Sequence, residues 1–330
     1  KSKQLLKLPD NYLLGIMPGS NTGSLEAALW SLLGIKGVDI LAWENFGKDW
    51  VTDVVEQLKI KNVNKHIADY GKLPDLSKVN FDNDVIFTWN GTTSGVRVPN
   101  ANWIPEDRKG LTICDATSGI FAMKMDYKKL DVITWSWQKV LGGEGSHGML
   151  ALSPRAIQRL ETYVPDWPIP KLFRIANKKK LIKGIFEGST INTPSMICVE
   201  DVLDALKWVE SIGGSNEIVK ISDENLKIVD EWVNKSEWVK FMCEDRESRS
   251  ATSITLSIKD EWFNKFEEEE QRETVKKIVS MLNKEGVAND INGYPKAPPS
   301  LRIWGGATVQ NNDMKALLPW IDWAYHSVKS

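Results

Sequence analysis

The chain has 330 residues, a length that favours two domains or one large α/β domain with a smaller companion. Hydrophobic residues make up 42% of it and charged residues 26%, which is typical of globular proteins. A formal net charge of -2, without any arginine-rich tract, argues against a nucleic-acid partner. No apolar run approaches the roughly 20 residues that span a bilayer, so we expect no membrane partner either.

The cysteines argue against two further classes of protein. Cys114, Cys198 and Cys243 are widely spaced and form no Cys-x-x-Cys pair, which disfavours a disulfide framework and a structural metal site. We therefore expect reduced thiols, no bound metal and a cytoplasmic protein. The chain begins with Lys1-Ser-Lys-Gln, which resembles the middle of a helix, so we expect further residues to precede it in the natural protein.

Short apolar runs alternate with helical patterns through the first half of the chain. This alternation is typical of the α/β class, in which a mostly parallel sheet has helices on its faces. Ligands of such sheets bind at the carboxyl ends of the strands, so functional residues should follow each run. The expected strands are 12–17, 38–42, 85–88, 111–115, 132–135 and 149–152, and the expected helices are about 24–33, 49–58 and 155–161.

The second half has a different order, in which two helices come first, then two strands, then a third helix. This order predicts a smaller α+β domain, so we expect a large domain over 1–200 and a small C-terminal domain over 201–330. The expected helices are 196–212, 215–235 and 267–282, with strands near 238–242 and 253–258.

Lys139 lies where the hydrophobic run 131–141 meets the glycine-rich loop 142–148. Burial among tryptophans would lower the pKa of its amine, which would then be nucleophilic near neutral pH and form a Schiff base with a carbonyl. A lone lysine in such a position more often extends to water. The other residues at the same sheet edge therefore decide between the two interpretations.

A candidate phosphate site follows the first expected strand. The segment Pro18-Gly-Ser-Asn-Thr-Gly-Ser24 precedes a helix, and small residues at a helix start leave backbone N–H groups free for an anion. The alternative is a capped turn with Ser20 or Thr22 as the N-cap. The segment has neither a Gly-Lys-Ser/Thr ending nor a G-x-G-x-x-G motif, which argues against nucleoside triphosphates and dinucleotides.

Asp115 ends the strand 111–115, so its carboxylate should lie at the ligand edge of the sheet. Beside a heteroaromatic ring nitrogen, a partly buried aspartate keeps that nitrogen protonated and makes the ring an electron sink. A turn or a helix cap is the alternative role. A helix-start phosphate site, this aspartate and Lys139, in that order, together predict a site for pyridoxal 5′-phosphate (PLP).

Several segments then resemble the phosphoserine aminotransferases, a class V, fold-type I family of PLP enzymes. They are Trp135-Ser-Trp-Gln-Lys139-Val-Leu-Gly-Gly-Glu, Thr88-Trp-Asn-Gly-Thr-Thr-Ser-Gly-Val-Arg97, Glu187-Gly-Ser-Thr-Ile-Asn-Thr-Pro194 and Leu301-Arg-Ile-Trp-Gly-Gly-Ala-Thr308. The resemblance covers essentially the whole chain. It implies a mostly parallel seven-stranded sheet in the large domain, PLP as cofactor, and a homodimer with shared active sites.

Residue roles follow from the resemblance. Lys139 would be the Schiff-base lysine and Asp115 the partner of the pyridinium nitrogen. Arg302 would bind the substrate α-carboxylate, for which a guanidinium is suited because it binds bidentately and keeps its charge. The other expected cofactor-binding residues are those at the phosphate (Asn21, Thr22, Gln138, with Asn192 and Thr193 reaching from the second subunit), near the ring hydroxyl (Thr92) and over the pyridine face (Phe46, with Trp43 and Trp50 as alternatives).

The implied reaction is transamination between O-phospho-L-serine or 3-phosphohydroxypyruvate and glutamate or 2-oxoglutarate, a step of serine and pyridoxine biosynthesis. Two features differ from the family pattern: an N-terminal segment with a His-Arg pair for the substrate phosphate is not in this sequence, and the loop 293–300 carries only Lys296 where a more basic pair is usual.

Other interpretations stay open. Within the same fold they are an alanine–glyoxylate or a serine–pyruvate type aminotransferase. A cysteine desulfurase is disfavoured, because Gln138 stands where that family usually has histidine. Outside the enzymes, the alternative is a non-catalytic protein of this fold that binds phosphorylated metabolites.

Overall fold

The computed structural model describes residues 1–330. None of its helices is both long enough and apolar enough to cross a membrane. The helices are α1 (Ser2–Leu6), α2 (Ser20–Leu32), α3 (Asn45–Thr52), α4 (Pro154–Thr162), α5 (Met196–Ser211), α6 (Ser215–Lys235), α7 (Glu261–Asn264), α8 (Glu268–Lys284) and α9 (Asn311–Lys329). The strands are β1 (Leu13–Pro18), β2 (Val38–Ala42), β3 (Val63–Ile67), β4 (Asp84–Thr88), β5 (Asn90–Gly91), β6 (Val96–Arg97), β7 (Thr112–Asp115), β8 (Val132–Ser136), β9 (His147–Leu152), β10 (Ala176–Asn177), β11 (Lys180–Leu181), β12 (Val239–Phe241), β13 (Ser253–Ile258) and β14 (Leu301–Trp304).

The main sheet has seven strands in the order β1-β9-β8-β7-β4-β2-β3. Strand β2 is parallel to β3 and β4, β4 is parallel to β7, and β7 is parallel to β8. Strand β9 is antiparallel to both β8 and β1, so β1 runs in the same direction as the parallel strands. The carboxyl ends of β1, β2, β4, β7 and β8 therefore lie at one edge, and the expected mostly parallel sheet is confirmed.

One strand of this sheet was not expected from the sequence. Strand β3 lies at the sheet edge beside β2, and its Asn64 and Lys65 side chains are exposed. An edge strand has one neighbour only and carries polar side chains that discourage pairing with other chains. It therefore lacks the apolar run that marks the central strands.

The helices differ from the expected ones at several places. Helix α3 begins at Asn45 rather than near residue 49 and is followed by a π-helical turn over Asp53–Gln57, and the short helix α7 was not expected. Helix α2 begins at Ser20 rather than near residue 24, because the small residues of the 18–24 segment form its first turn. Helix α9 was not expected, since Pro319 lies inside it. An interior proline costs about 3 kcal/mol. Burial of Met314, Leu318 and Ile321 along one face of α9 offsets that cost.

Apolar side chains form cores on both faces of the main sheet. One core contains Phe87 and Trp135, and the other contains Ile86 and Val132 together with the buried side of α2. These residues alternate along β4 and β8, as expected for a sheet that is covered on both faces. The resulting burial of the strands leaves their carboxyl ends as the accessible edge.

A third core lies between the antiparallel sheet β12-β13-β14 and the helices α6, α8 and α9. This smaller α+β unit agrees with the expected fold class. Residue 200 lies inside α5, and Val202 and Leu206 of that helix belong to the same core as Phe87. The exact division of the chain into two domains stays a prediction.

Candidate active site

A cavity of about 210 Å³ lies at the carboxyl ends of β1, β4, β7 and β8. It has the position at which parallel α/β sheets bind their ligands. Residues distant in sequence converge here. Of the expected site residues, those that line the cavity are Asn21, Thr22, Phe46, Thr92, Asp115, Gln138 and Lys139.

The N-terminus of α2 forms one wall of this cavity. Gly19 is its N-cap, with φ 79°, and no side chain caps the helix, so the alternative of a turn capped by Ser20 or Thr22 is wrong. The first N–H groups of a helix have no acceptor within the helix. A Cβ atom on Gly23 would lie 2.1 Å from the Pro18 carbonyl oxygen, so only glycine allows this tight turn. Asn21 and Thr22 consequently present uncapped backbone N–H groups, which suit a phosphate.

Asp115 lies at the end of β7 and is 8% exposed. Burial raises the pKa of its carboxyl, while hydrogen bonds from Thr117 and Trp50 oppose that increase. The Thr117 backbone N–H and hydroxyl donate to Oδ1 at 3.0 and 2.6 Å, and the Trp50 indole donates to Oδ2 at 3.2 Å. Because Oδ1 already accepts two bonds and Oδ2 only one, Oδ2 retains the capacity to pair with a cationic ring nitrogen.

Lys139 follows β8 by a short loop, opposite the start of α2, and is half-buried. Burial is the main cause that lowers the pKa of its amine, and the positive charge of Arg302 lowers it further. The carboxylates of Asp115 and Asp290 act in the opposite direction. The pKa of Lys139 is therefore lowered, in the direction that the sequence predicts. The neutral, nucleophilic amine forms at a lower pH than it would in water.

Arg302 reaches the site from β14 of the small sheet. Its Nη2 donates to Asp290 at 3.1 Å, and its side chain is 11% exposed while that of Asp290 is 85% exposed. The buried Nε of Arg302 has no hydrogen-bond partner. The guanidinium thus keeps one unpaired donor, and its ion pair with Asp290 is weak because solvent screens it. An incoming carboxylate can displace Asp290 and accept hydrogen bonds from both nitrogens.

The family resemblance implies that Arg302 binds a substrate α-carboxylate. Arg302→Leu should then raise KM for amino-acid substrates by about 30- to 150-fold, the loss of about 2–3 kcal/mol for a charge-assisted carboxylate contact. The same change should raise the pKa of Lys139, because the nearby positive charge that disfavours its ammonium form is gone. Reactivity of Lys139 in the cofactor-free protein toward an amine reagent, followed against pH by peptide mapping, should then shift to higher pH. An unchanged pH profile would show that Arg302 does not act on Lys139.

Three aromatic residues were candidates for the face of a bound ring. Trp43 is fully buried, and its indole donates to the Val96 carbonyl at 3.0 Å, so it does not line the cavity. Trp50 lines the cavity but points its N–H at Asp115. Phe46 lines the cavity and packs edge-on against Tyr294, with ring centroids 5.7 Å apart. The geometry therefore favours Phe46 for the ring face.

Three expected site residues do not line the cavity, namely Arg302, Asn192 and Thr193. Asn192 and Thr193 are exposed and line no part of it. The neighbouring Ser195 N–H donates to Nε2 of His147 at 2.8 Å, which fixes this segment near the loop that carries Lys139. Their expected role toward the site of a second subunit stays a prediction.

The structure also adds residues that sequence reasoning missed. Ser118 accepts hydrogen bonds from Asn90 and Thr92, both at 2.8 Å, and so fixes Thr92 in the cavity wall. Tyr294 lines the cavity from the loop before β14, with the Arg302 guanidinium 5.4 Å from its ring centroid. Their local sequences contain no signal for these contacts, except that Ser118 follows the strand end at Asp115.

Comparisons with known proteins place the chain in a family. The model of the family "Aminotransferase class-V" matches residues 62–288. Phosphoserine aminotransferase of Methanosarcina barkeri is 56% identical over 329 residues, covering 100% of this chain and 86% of that protein, and the enzyme of Methanosarcina mazei is 54% identical over the same shares. A crystal structure of a phosphoserine aminotransferase from Cytophaga hutchinsonii superposes with a TM-score of 0.79 at 20% identity, covering 97% of this chain and 85% of that one, and so supports the fold. The chain therefore belongs to the class-V aminotransferase family.

Proposed function

We propose that this aminotransferase exchanges the amino group between O-phospho-L-serine or 3-phosphohydroxypyruvate and glutamate or 2-oxoglutarate, in serine biosynthesis. The observation that carries the proposal is the 56% identity to the Methanosarcina barkeri phosphoserine aminotransferase over 329 residues. That similarity extends over all of the elements that line the cavity, and over Arg302, whose guanidinium lies 5.4 Å from the ring centroid of the cavity residue Tyr294. A similarity confined to the sheet would support the fold and the reaction type without a substrate.

The enzyme uses PLP, the cofactor of the class-V aminotransferases. The cavity fits this group, because Asn21 Oδ1, Thr88 Oγ1 and Asn90 Oδ1 are buried there without hydrogen-bond partners. Buried polar atoms in proteins are normally paired, so three such atoms in one cavity indicate a polar ligand. When bound, PLP supplies an aldehyde that bonds covalently to an amine and a pyridine ring that withdraws electrons from the substrate α-carbon.

Four residues of the chain would hold the cofactor in the cavity. The backbone N–H groups of Asn21 and Thr22 bind the cofactor phosphate at the positive end of α2. Oδ2 of Asp115 would pair with the ring nitrogen and keep it protonated. Phe46 would pack on the ring face and restrict its orientation.

Lys139 has two tasks in this proposal. Its amine would hold the cofactor aldehyde, and when free of the cofactor its Nζ would accept and return the proton at the substrate α-carbon. Arg302 binds the substrate α-carboxylate through its Nε and Nη2 edge, in place of Asp290. The lowered pKa of Lys139 supports the base role, because a base must be neutral at working pH to accept the proton.

We further propose a homodimer in which Asn192 and Thr193 contribute to the cofactor phosphate site of the second subunit. These residues are exposed and adjoin Met196 and Ile197, whose relative exposures are 61% and 76%. Two large apolar side chains at the start of α5 favour a surface that another protein chain covers. We also infer a cytoplasmic enzyme, since Cys114, Cys198 and Cys243 are all free thiols.

The test of the substrate is an amino-donor profile of the PLP-loaded enzyme with 2-oxoglutarate as acceptor. We expect kcat/KM for O-phospho-L-serine to exceed that for L-serine and L-alanine by more than about 100-fold, since losing contacts to a charged phosphate costs about 3 kcal/mol or more. A preference for L-alanine or L-serine with glyoxylate or pyruvate as acceptor would instead support the alternative aminotransferases. Absence of turnover with every donor would favour a binding protein.

A further inference from the structure

A buried carboxylate outside the cavity connects two parts of its wall. Glu44 is 0% exposed and is the N-cap residue of α3. Its Oε1 accepts from the Gly47 N–H at 2.8 Å. Its Oε2 accepts from the Thr93 hydroxyl at 2.9 Å and from the Thr93 N–H at 3.3 Å. One side chain thus joins the start of α3 to the turn between β5 and β6.

Both joined segments carry residues that line the cavity. Helix α3 holds Phe46 at the predicted ring face and Trp50, whose indole donates to Asp115 at 3.2 Å. The turn holds Thr92, which donates to Ser118 at 2.8 Å. A displacement of α3 relative to the turn would therefore move the ring-stacking residue and the donor on Asp115 together.

A neutral residue could not replace this connection without a conflict. The partners of Glu44 are all donors, namely two backbone N–H groups and one hydroxyl. An ionised carboxylate accepts from all of them at once. A protonated carboxyl or an amide donates at one of these positions, so that either the Thr93 hydroxyl must turn and accept or a backbone N–H faces a donor. Burial of a charge is costly, so a neutral polar or apolar residue would be the expected occupant if only packing mattered.

We propose that Glu44 is a positioning residue of the cofactor site, whose ionised carboxylate holds α3 and the Thr92–Thr93 turn in the arrangement that binds PLP. This inference rests on the cofactor pocket described above and extends it to a residue that touches neither cofactor nor substrate. We expect loss of the carboxylate to weaken PLP binding itself, separately from any effect on the rate of transamination.

The charges around Glu44 make its contribution depend on pH. Burial raises the pKa of Glu44 to about 7, and the charge of Asp115 on β7 raises it as well, whereas the hydrogen bonds from Gly47 and Thr93 lower it. The other titratable group on this side is Tyr70, whose hydroxyl is 3.5 Å from Thr93 Oγ1 and whose ring lies 5.4 Å from the Lys48 amine. Because the folded pKa is raised, the ionised form predominates above about pH 7 and is lost as the pH falls through that value.

The experiment compares PLP dissociation constants of the cofactor-free wild type and Glu44→Gln, measured by absorbance and fluorescence titration at pH 8.5 and at pH 6. At pH 8.5 we expect the variant to bind about tenfold more weakly, as for the loss of one charge-assisted hydrogen bond. At pH 6 the ratio of the two constants should fall toward one, since wild-type Glu44 is then largely protonated. The PLP phosphate and Lys139 also titrate, but they do so in both proteins, so that their effects on the dissociation constants cancel in this ratio.

Asp49→Asn is the matched control, because Asp49 lies on the same helix but is exposed. It should leave the dissociation constant unchanged at both pH values. Thr93→Val provides a second test in a chain that keeps Glu44, and it should also weaken PLP binding at pH 8.5. Near-UV circular dichroism would identify a variant that fails to fold.

Two results would overturn the inference. One is a dissociation constant of Glu44→Gln within twofold of wild type at pH 8.5, together with an unaffected Thr93→Val. The other is a weakening by the same factor at pH 8.5 and pH 6, which would indicate a general structural role. Failure of wild-type protein to bind PLP at all would instead contradict the cofactor assignment and is visible in the same titration.

Discussion

Replacing Lys139 by alanine should lower the rate of transamination by more than about 10³-fold, because one change removes both the amine that holds the cofactor and the base that moves the proton. The visible absorbance band of lysine-linked PLP should disappear as well. Non-covalent binding of PLP should persist, since the phosphate site at the start of α2 and the Asp115 carboxylate are intact.

Lys139→Arg is the control for charge and size. It keeps a cation beside Arg302 and Asp115, but a guanidinium is always protonated and cannot act as nucleophile or base. We expect it to be as inactive as the alanine variant. Near-normal turnover by either variant would exclude Lys139 from catalysis and would indicate that another lysine holds the cofactor.

The second large effect is expected for Asp115→Asn. An amide of the same shape keeps its place in the cavity but carries no charge to stabilise a protonated ring nitrogen. We expect the proton transfer at the substrate α-carbon to slow by about 10²- to 10⁴-fold, the range for removing a residue that stabilises charge in the transition state. Rapid mixing with substrate, followed by absorbance, measures this step directly.

The absorbance band of lysine-linked PLP should survive in Asp115→Asn, which separates this variant from Lys139→Ala. Asp107→Asn serves as control, because Asp107 is exposed and outside the cavity. An Asp115→Asn variant whose proton-transfer rate matches wild type would show that this carboxylate does not tune the ring.

Much of the site follows from strand order alone. Asp115 and Lys139 were identified as residues that come directly after apolar runs, and the parallel topology brings such positions to one edge. The 18–24 segment was identified because small residues at a helix start are a local signal. Predictions of this kind succeed when one residue and its neighbours in sequence carry the information.

Other parts of the site could not be predicted because they depend on contacts between distant segments. The indole of Trp50 reaches Asp115 across 65 positions of sequence. Its sequence context indicates only a helix, and Trp50 is an alternative for the ring face because it lies close to Phe46 in sequence. Glu44 resembles an ordinary helix cap, and its second contact, with Thr93, exists only in the folded chain. Helix α9 and strand β3 could likewise not be predicted, because α9 contains a proline and β3 is polar, and both depend on tertiary packing for their stability.

The most direct test of the account is to map the lysine that holds the cofactor. The PLP-loaded protein is reduced with borohydride, which makes the bond between cofactor and lysine permanent, then digested and analysed by mass spectrometry. We predict one modified site per chain, in the peptide that contains Lys139, and no modification in Lys139→Ala. Modification of a different lysine in the wild-type protein, or of none, would contradict the assignment of this cavity as the active site.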